Sequence, residues 1–499
     1  MSHVAPLVHE LVPAPDPLAT CARFQDLPFL ALLDSASDHE HLGRYSFLTA
    51  DPFTAVRSKG QLTQQLVDGK WIRVGADPLR HVRTLLAPLA AEPVAGLPPF
   101  QGGAAGYVGY DWGMMLESVP RPYYDDLEVP DVQLGLYDWV IAWDHVTGRA
   151  WVISTGIPER GPVQAQRAAR RLAFVTETLD GTGETGSVKR DASRSHGPRF
   201  TFPDSRVPSA PSYPVPDLPG VRSNFTRAGY LDAVARVIEY VFAGDIFQAN
   251  LSQRLEAPLV GTPLELYDRL RRRNPAPFSA YLECGDLVVA SSSPERFLRV
   301  EPGGAVETRP IKGTRPRGVG PEHDAALARA LVESDKDRAE NVMIVDLLRN
   351  DLSRVCRPGS VRVPELFTIE HYATVHHLVS TVVGELAPEQ GPLDLVRAAF
   401  PGGSITGAPK VRAMQIIAEL EPTQRAVYCG SIGYLSVTGA LDTSIVIRTC
   451  LVRGGRGERG GNVYAQVGGG IVADSDPEQE YRETLDKARG LVAALVPSP

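Results

Sequence analysis

Two pairs of acidic residues have the spacing that most directly suggests chemistry. Asp337 and Glu340 lie in the segment SDKDRAEN, and Glu480 and Glu483 lie in PEQEYRET. Side chains three residues apart share one face of a helix, so each pair would present its carboxylates together. Four carboxylates from two helices would suit Mg²⁺, which also takes water and substrate oxygens as ligands. The alternative is two solvated helix faces with local ion pairs.

Basic residues near these pairs favour an anionic ligand. Lys487 follows Glu483 by four residues and shares its helix face, where it could pair with Glu483 or hold an anionic substrate. Arg448 interrupts the apolar run SIVIRT. A charge among apolar neighbours needs an anion partner, either an internal carboxylate or a ligand.

Two glycine-rich turns could bring backbone amides close to such a ligand. They are PGGSITG at residues 401–407 and GGG at residues 468–470. Exposed amides in turns of this kind bind carboxylates or phosphates, although tight turns explain the glycines equally well. Taken together, the carboxylates, turns and basic residues describe a pocket for a small dianion or dicarboxylate.

The elements expected to position these residues are mixed. Short apolar stretches between turn residues recur over residues 24–174 and predict a strand-rich region. Helical composition is found at residues 161–178, 322–348, 410–420 and 477–495, and strand-like segments lie at residues 286–291, 440–452 and 462–472. The chain is therefore predicted to have an α+β fold with large, mainly antiparallel β-sheets packed with helices.

One stretch allows a more detailed local prediction. Thr226 can cap a helix, and Gly244 stands where that helix would end. The next segment, residues 246–255, alternates apolar and polar residues, with Phe247 on the apolar side and Gln248 on the polar side. This period of two predicts a half-buried strand.

Composition divides the chain into three parts. Residues 1–178 form a strand-rich N-terminal subdomain, and residues 223–499 carry the acidic pairs and the glycine-rich turns. Between them, residues 179–222 are rich in Gly, Ser and Pro, with six prolines from Pro203 to Pro219. Such a segment cannot bury enough apolar surface to fold, so we expect a disordered linker.

Bulk properties exclude several classes of function. The formal charge of −8 gives no basic face for nucleic acid, and no segment has the roughly 18 to 20 apolar residues that would cross a membrane. The N-terminus lacks a signal-peptide pattern, and the five cysteines are scattered without a disulfide or metal-binding spacing. We therefore expect a cytoplasmic protein with reduced thiols and a small-molecule ligand.

Six motifs, in the same order along the chain, resemble those of the chorismate-binding enzymes. They are GDIFQANLSQR (244–254), SSSPERFL (291–298), ETRPIKGTRPRG (307–318), DRAENVMIVDLLRNDLSRV (337–355), PGGSITGAPK (401–410) and GGGIVADSDPEQEYRET (468–484). A weaker resemblance runs through LLDSAS (32–37), GRYSFLTADP (43–52) and QGGAAGYVGYD (101–111). The resemblance covers most of the chain except the linker, and it implies a fold like that of anthranilate synthase component I.

The resemblance implies roles for individual residues. Glu340 and Glu483 would bind Mg²⁺, with Asp337 and Glu480 beside them, and Glu295 would be the general acid that assists departure of the C4 hydroxyl of chorismate. The residues expected around the substrate are Gly313, Thr314, Thr406, Tyr428, Arg448, Gly468, Gly470 and Lys487, with His377 on the leaving-group side.

Two positions distinguish the branches of the family. The water-using members of the family, the isochorismate and salicylate synthases, have a lysine at the position of Gln248. The resemblance therefore disfavours a water-using reaction for this chain. The motif of anthranilate synthases is similar to PIAGT, whereas this chain has PIKGT at residues 310–314. With Lys312 at the third position, the motif resembles that of the aminodeoxychorismate branch. There the lysine amine attacks C2 and ammonia then enters at C4. The alternative for Lys312 is an ordinary surface lysine.

The resemblance also implies partners. Ammonia would come from a separate glutamine amidotransferase subunit, because no segment here resembles a glutaminase. Leu33, Asp34 and Ser35 are similar to the tryptophan-contacting segment LLES of the family, with Asp34 in place of Glu. That segment either binds tryptophan or is ordinary core packing. Two other functions stay open, an anthranilate synthase large subunit and a non-catalytic protein that binds an aromatic metabolite.

Overall fold

The computed structural model describes residues 4–36, 42–181, 209–372, 375–454 and 461–495. Within these ranges the strands form two large antiparallel sheets. The first contains, in spatial order, β1 (Leu7–Leu11), β10 (Arg149–Ser154), β9 (Trp139–Asp144), β3 (Tyr45–Thr49), β2 (Ala31–Asp34), β14 (Phe278–Cys284), β15 (Leu287–Ser293), β24 (Thr449–Arg453), β25 (Asn462–Ile471), β13 (Gln248–Pro258), β12 (Arg222–Ser223) and β11 (Tyr213–Pro214), with β21 (Gly407–Ala408) paired to β13.

The second sheet is also antiparallel. It contains, in spatial order, β18 (Ile311–Pro316), β20 (Val375–Glu385), β17 (Ala305–Thr308), β16 (Arg296–Val300), β23 (Leu441–Ile445), β22 (Ser431–Ser436), β7 (Gly103–Val108), β8 (Val132–Tyr137), β4 (Thr54–Lys59), β5 (Leu62–Val67) and β6 (Lys70–Gly75), with β19 (Arg362–His371) also paired to β20.

The helices lie outside the two sheets. In the described ranges they are α1 (Pro17–Arg23), α2 (Pro78–Leu86), α3 (Tyr110–Leu116), α4 (Gly161–Asp180), α5 (Arg227–Phe242), α6 (Pro263–Arg273), α7 (Pro321–Val332), α8 (Asp335–Ser353), α9 (Pro392–Ala399), α10 (Lys410–Leu420) and α11 (Pro477–Leu495). This architecture confirms the predicted α+β fold with large antiparallel sheets.

Strand β9 shows how the layers pack. Its residues are buried on both faces, and successive side chains point in opposite directions. Trp139 and Ile141 belong to an apolar cluster shared with the outer helices. Val140 and Ala142 pack instead with residues of the second sheet. The two sheets therefore lie face to face, and helices cover their outer faces.

Both sheets contain strands from both halves of the sequence. In the first sheet β2 pairs with β14, so Asp34 lies opposite Ser279. In the second sheet β7 pairs with β22, so Val108 lies opposite Ser431. Residues 1–178 and 223–499 are thus interleaved, although composition had suggested two consecutive units.

The segment predicted as a linker is ordered at both ends. At the first end, helix α4 continues to Asp180. At the second end, β11 pairs with β12, and β12 pairs with β13. This differs from the disorder expected for residues 179–222, because two short strand pairings anchor the stretch and its Val215 and Val221 are buried in a large apolar cluster. Residues 182–208 of the predicted linker lie outside the described residues.

Local predictions around β13 were right in part. Thr226 caps α5, with its hydroxyl accepting a hydrogen bond from the Gly229 amide at 3.0 Å. The predicted strand is confirmed as β13, and its apolar residues Ala249 and Leu251 are buried as expected, but the predicted exposure of the polar side is wrong. Phe247 precedes β13 and is 71% exposed, whereas Gln248 is fully buried. The polar face of β13 points into the protein because its side chains have internal partners: Asn250 donates to the Ser404 carbonyl at 2.7 Å and Ser252 to Glu421 at 2.8 Å.

Two predicted segments are each divided in the structure. Residues 322–348 form α7 and α8, because the Ser334 side chain caps a new helix by accepting from the Asp337 amide at 3.3 Å. Residues 440–452 form β23 in the second sheet and β24 in the first. Among the described residues, no helix is long and apolar enough to span a membrane.

Candidate active site

The cleft lies where the chain passes between the two sheets. Glu295 lies on the crossover from β15 to β16, and Arg448 lies on the return crossover from β23 to β24. The crossovers are joined by hydrogen bonds, from the Ile445 amide to the Glu295 carbonyl at 3.0 Å and from the Ser292 amide to the Arg448 carbonyl at 3.1 Å. Both side chains therefore leave the regular sheets at neighbouring points.

Helix α11 brings three predicted residues over the glycine-rich end of β25. A side-chain carbon added to Gly469 would lie 3.1 Å from Glu480 Oε2, 3.5 Å from Glu483 Oε1 and 3.9 Å from Lys487 Nζ. Lys487 Nζ is 2.6 Å from Glu483 Oε1 and donates to the Gly468 carbonyl at 2.9 Å. The glycines of β25 thus leave room for a cluster of charged groups beside the backbone.

Glu340 on α8 faces this cluster. Its partial burial raises its pKa, and the negative charges of Asp337 and Glu483 act in the same direction. Burial would also raise the pKa of Glu483, but the charge and hydrogen bond of Lys487 outweigh that effect and lower it. The carboxylates predicted to bind a metal therefore repel one another across the cleft.

The donor set of Glu340 and Glu483 fits Mg²⁺. This ion is typically held by one or two carboxylates together with water and substrate oxygens. Among the described residues, no three His, Cys, Asp or Glu side chains converge closely enough to form a metal site by themselves. The protein would thus supply two carboxylates and leave the other ligand positions to water and substrate.

Asp337 and Glu480 are engaged with neighbouring residues. Asp337 Oδ2 accepts from Arg315 at 2.7 Å, and Glu480 Oε1 accepts from the Ser475 hydroxyl at 2.6 Å. A side-chain carbon at Gly313, which has φ of +86°, would lie 2.9 Å from Asp337 Oδ1. Asp337 therefore packs directly against the backbone of the PIKGT motif. Only glycine allows that approach at this backbone conformation.

Lys312 lies at an irregularity in β18. The pairing of β18 with β20 shifts register between Ile311 and Thr314, so Lys312 and Gly313 are outside the regular ladder. Among the described residues, Lys312 has no hydrogen-bond or ion-pair partner, although Glu340 and Glu295 lie near enough to interact electrostatically. Its burial lowers the pKa of the amine despite those two acidic neighbours. A lowered pKa increases the fraction of neutral, nucleophilic amine.

Glu295 has the properties expected of a general acid. It is 5% exposed, and burial raises the pKa of its carboxyl group to about 7. Hydrogen bonds from the Ser404 side chain and the Ile311 amide, and the nearby Lys312, moderate this increase. A carboxyl group with this pKa is partly protonated at neutral pH and can donate a proton.

Arg448 and Tyr428 form a polar wall beside Lys487. Burial lowers the pKa of Arg448, and the arginine donates to the Lys487 carbonyl at 3.1 Å. Within the described ranges no carboxylate is paired with Arg448, which leaves its guanidinium able to bind an anionic ligand. Tyr428 is close enough to Arg448 to influence its charge. Glu483 acts on Arg448 electrostatically without a direct contact, so the role of this arginine in binding a ligand stays a prediction.

His377 and Thr314 lie on the opposite strands of the β18–β20 pair. The Thr314 hydroxyl and His377 Nδ1 are 2.9 Å apart, and the two residues are direct ladder partners. The His377 ring also contacts the ring of Tyr372, with a centroid separation of 5.0 Å. The histidine is 8% exposed and is held on two sides.

The second glycine-rich turn, residues 401–407, is shaped by its own side chains. The Thr406 hydroxyl donates to the Gly402 carbonyl at 3.0 Å, so Thr406 stabilises the turn. The Thr406 carbonyl accepts from the Asn250 amide at 2.8 Å, which joins the turn to β13. Gly470 is the ladder partner of Asn250, and Gly468 pairs with Ser252. The two glycine-rich segments therefore flank the same strand.

Sequence reasoning missed two polar residues of the cleft. Ser404 hydrogen-bonds Glu295, and its only signal was a hydroxyl inside a quoted glycine-rich motif. Arg425 is fully buried and donates to the Asn250 and Ile405 carbonyls at 2.6 and 3.2 Å while pairing with Glu421 at 2.7 Å. Nothing in its local sequence indicates that it connects three segments.

The segment predicted to contact tryptophan borders a cavity of about 800 Å³ between the two sheets. Leu33, Asp34 and Ser35 line one side, and Tyr434 lines the other. The Asp34 carboxylate accepts from Ser46, Tyr267 and Arg271 at 3.1, 3.0 and 2.6 Å; Asp34 is 2% exposed. Asp34 is thus held by internal partners, while the segment as a whole adjoins an open volume.

Comparison with known sequences gives a consistent match over nearly the whole chain. The profile of the family described as chorismate binding enzyme matches residues 36–493. Aminodeoxychorismate synthase component 1 of Salmonella typhimurium is 42% identical over 471 residues, which cover 94% of this chain and 93% of that protein. Anthranilate synthase component 1 of Thermus thermophilus is 40% identical over 457 residues, which cover 89% of each chain.

A solved structure supports the same relationship. The crystal structure of anthranilate synthase component I from Streptococcus pneumoniae matches with a TM-score of 0.71 and 31% sequence identity. The match covers 90% of this chain and 92% of that chain. The sheet-on-sheet architecture is therefore shared with a protein of related sequence.

Proposed function

Since the chain belongs to the chorismate binding enzyme family, we propose that it is the large subunit of an aminodeoxychorismate synthase. It would convert chorismate and ammonia to 4-amino-4-deoxychorismate, the precursor of p-aminobenzoate in folate biosynthesis. The observation that carries this proposal is Lys312, an unpaired lysine with a lowered pKa beside Glu295 and Glu340.

Lys312 would act as a nucleophile. Its neutral amine forms a bond to C2 of chorismate, the ring double bonds shift, and the C4–O bond breaks. Ammonia then forms a bond to C4, the double bonds shift back, and the C2–N bond breaks with its electron pair returning to the lysine. The net reaction exchanges the hydroxyl for an amine and releases water. The register shift of β18 supports this role, because an irregularity in strand pairing redirects the side chains of the residues within it.

Glu295 would supply the proton that the leaving hydroxyl requires. Its buried carboxyl group has a pKa of about 7, so a useful fraction is protonated near neutrality. The ammonium group first formed at C4 loses a proton, which restores the acid. Lys312 and Glu295 lie near enough to interact electrostatically, as two groups that act at C2 and C4 of one ring must be.

The remaining cleft residues would hold the substrate and the metal. Glu340 and Glu483 would bind Mg²⁺, which would supply Lewis-acid stabilisation to a substrate carboxylate. Arg448 and Lys487 would bind the carboxylates of chorismate, with Tyr428 beside them. Lys487 pairs with Glu483 in the structure and would exchange that contact for a substrate carboxylate.

An anthranilate synthase large subunit is the second candidate. The Thermus anthranilate synthase component 1 is nearly as similar to this chain as the Salmonella protein. The decisive position is Lys312, which stands where the sequence motif of the anthranilate branch has alanine. The proposal therefore depends on that side chain more than on overall identity.

A separate glutamine amidotransferase subunit is proposed to supply the ammonia. The Salmonella relative is called component 1, a name that implies a second component. A cytoplasmic location is part of this proposal, since all five cysteines are free thiols, as expected in a reducing compartment. The purified chain should make product from ammonium salts and make none from glutamine. Product formed from glutamine by the pure single chain would contradict the proposed partner.

Tryptophan is the proposed occupant of the cavity beside Asp34. The cavity is large enough for an amino acid with an indole ring, and its wall combines Phe278 and Tyr434 with polar groups such as Ser35. Calorimetry on protein stripped by unfolding and refolding should show binding of tryptophan. If no heat is released, the cavity has another occupant or none.

Product identification tests the proposed function directly. The chain should be incubated with chorismate, Mg²⁺ and ammonium, and the products separated by chromatography. We expect 4-amino-4-deoxychorismate. Anthranilate as the main product would support the second candidate, and unchanged chorismate would support a protein that only binds it.

A further inference from the structure

Glu295 lies at a point where the backbone is poorly held by regular pairing. It belongs to the crossover between the sheets, and strand β16 begins at the next residue. The pairing of β16 with β23 is irregular from its first residue: Arg296 lies opposite Ser444 and Leu298 lies opposite Thr443, so β16 advances by two residues where β23 advances by one. Phe297 is the extra residue. An irregularity of this kind bends a strand and redirects its side chains, so its geometry must be fixed by other contacts.

Arg296 makes those contacts on both sides of β16. Its guanidinium donates to both oxygens of Asp442 on β23 at 3.0 Å each, and to Glu307 Oε1 on β17 at 2.8 Å. The guanidinium also lies 5.1 Å from the centroid of the Phe278 ring. One side chain thus connects the two strands that flank β16 and contacts a strand of the other sheet.

The burial of Arg296 makes this arrangement costly to disturb. The residue is only 8% exposed, and the planar guanidinium matches two carboxylates in a way that a lysine ammonium cannot. Loss of the arginine would leave Asp442 and Glu307 partly buried without their cation. Such a cluster is unnecessary for ordinary strand pairing, because Arg299 on the same strand pairs with an exposed glutamate, Glu301.

We propose that Arg296 is a positioning residue that holds the irregular start of β16 and thereby keeps the Glu295 carboxyl group aimed into the cleft. Arg296 lies on the cavity side, where it lines the space between the sheets with Asp442. Glu295 lies on the cleft side, where it interacts with Ser404 and Lys312. The inference rests on the proposed function for its kinetic consequence, but its structural consequence can be measured independently.

The test compares Arg296→Gln with Arg299→Gln. Hydrogen exchange would be followed by mass spectrometry in peptides covering residues 293–298 and 441–446, where the Ile445 amide donates to the Glu295 carbonyl. Exchange should be faster in Arg296→Gln and unchanged in Arg299→Gln. Turnover of chorismate should fall about 10²-fold in kcat with KM little changed, because a small misplacement of a catalytic group has an effect of that size.

Two further readouts separate positioning from a general loss of stability. In Arg296→Gln, better access of water to Glu295 should lower the pKa of this acid, so the decline of kcat with rising pH should begin at lower pH. Arg296→Lys should recover part of kcat because it restores one charge. If Arg296→Gln does not fold, Glu307→Gln removes a single partner and should show the same changes to a smaller degree.

The outcomes distinguish this inference from the proposed function. Unchanged exchange in Arg296→Gln would overturn the positioning role, whether or not kcat falls. Faster exchange with wild-type kcat and pH dependence would overturn it as well. If the wild-type chain does not turn over chorismate, the proposed function fails, and the exchange comparison alone decides whether Arg296 holds this segment.

Discussion

Two lysines surrounded by carboxylates show how the catalytic cleft differs from the rest of the molecule. Lys59 is 4% exposed and lies 2.8 Å from Asp125 and 3.5 Å from Asp131. Burial by itself would lower its pKa, but the charges of Asp131 and Asp125 outweigh burial and raise it. In the cleft, Lys312 has no such direct partner among the described residues, and burial lowers its pKa.

This difference separates a structural lysine from a reactive one. Lys59 keeps its proton, because a buried charge is tolerated when hydrogen-bonded carboxylates surround it. Lys312 is close to acidic groups without touching them, so its charged form is not stabilised to the same degree. An unpaired titratable group in a cleft is a strong indication of a functional site. Substitutions in the cleft around Lys312 should therefore reduce activity, whereas substitutions around Lys59 should reduce stability.

The largest expected effect is loss of activity when a carboxylate of the proposed metal site is neutralised. Glu340→Gln and Glu483→Gln should abolish turnover of chorismate, because neutral amides bind Mg²⁺ poorly. Circular dichroism should show an unchanged fold. Glu478→Gln on the same helix is the control, since Glu478 pairs only with exposed arginines in the described structure. Full turnover by either cleft variant, or by the wild type in excess chelator, would contradict the proposed requirement for Mg²⁺.

The next effect concerns the general acid. Glu295→Gln should lower kcat by about 10²- to 10⁴-fold, the usual contribution of general acid catalysis. Burial raises the pKa of this carboxyl group to about 7, so the protonated form is lost as pH rises through that value. Wild-type kcat should therefore decline above about pH 7. That decline should be absent from the residual activity of the variant, and its persistence would assign it to another group.

The smallest effect on activity is expected in the structural region. Lys59→Met should destabilise the protein by about 3 kcal/mol, because it removes the cation of the half-buried Asp125 and leaves the buried Asp131 paired with Arg121 alone. Thermal unfolding followed by circular dichroism would measure the loss. At a temperature where the variant is folded, its kcat should match the wild type. A large fall in kcat without a loss of stability would mean that the contrast with Lys312 is mistaken.

Features determined by local sequence were predictable. Thr226 was predictable as an N-cap from its residue type, and the bounds of α10 and α11 match the helical composition of residues 410–420 and 477–495. The contact between Glu483 and Lys487 also follows, because residues four apart meet on a helix. Even the break between α7 and α8 had a signal, since Ser334 precedes Asp337 in the spacing of a capping interaction.

Features that depend on distant segments were not predictable. The run at residues 440–452 looks like one apolar strand, yet Arg448 has φ of +54° at the crossover between two sheets. Nothing nearby in the sequence indicates that β2 would pair with β14, because strand pairing depends on residues far apart in the chain. The environment of Lys312 is likewise set by Glu295 and Glu340 from two other segments.

The central claim is that Lys312 forms a covalent bond to the substrate, and one measurement tests it most directly. The protein should be quenched during turnover of chorismate with Mg²⁺ and ammonium, then analysed by intact-protein and peptide mass spectrometry. We expect a chorismate-derived adduct on the peptide containing Lys312, absent from Lys312→Ala, which should lose most aminodeoxychorismate formation. Absence of the adduct, together with undiminished production of aminodeoxychorismate by Lys312→Ala, would show that ammonia reaches C4 without this lysine and would contradict the account.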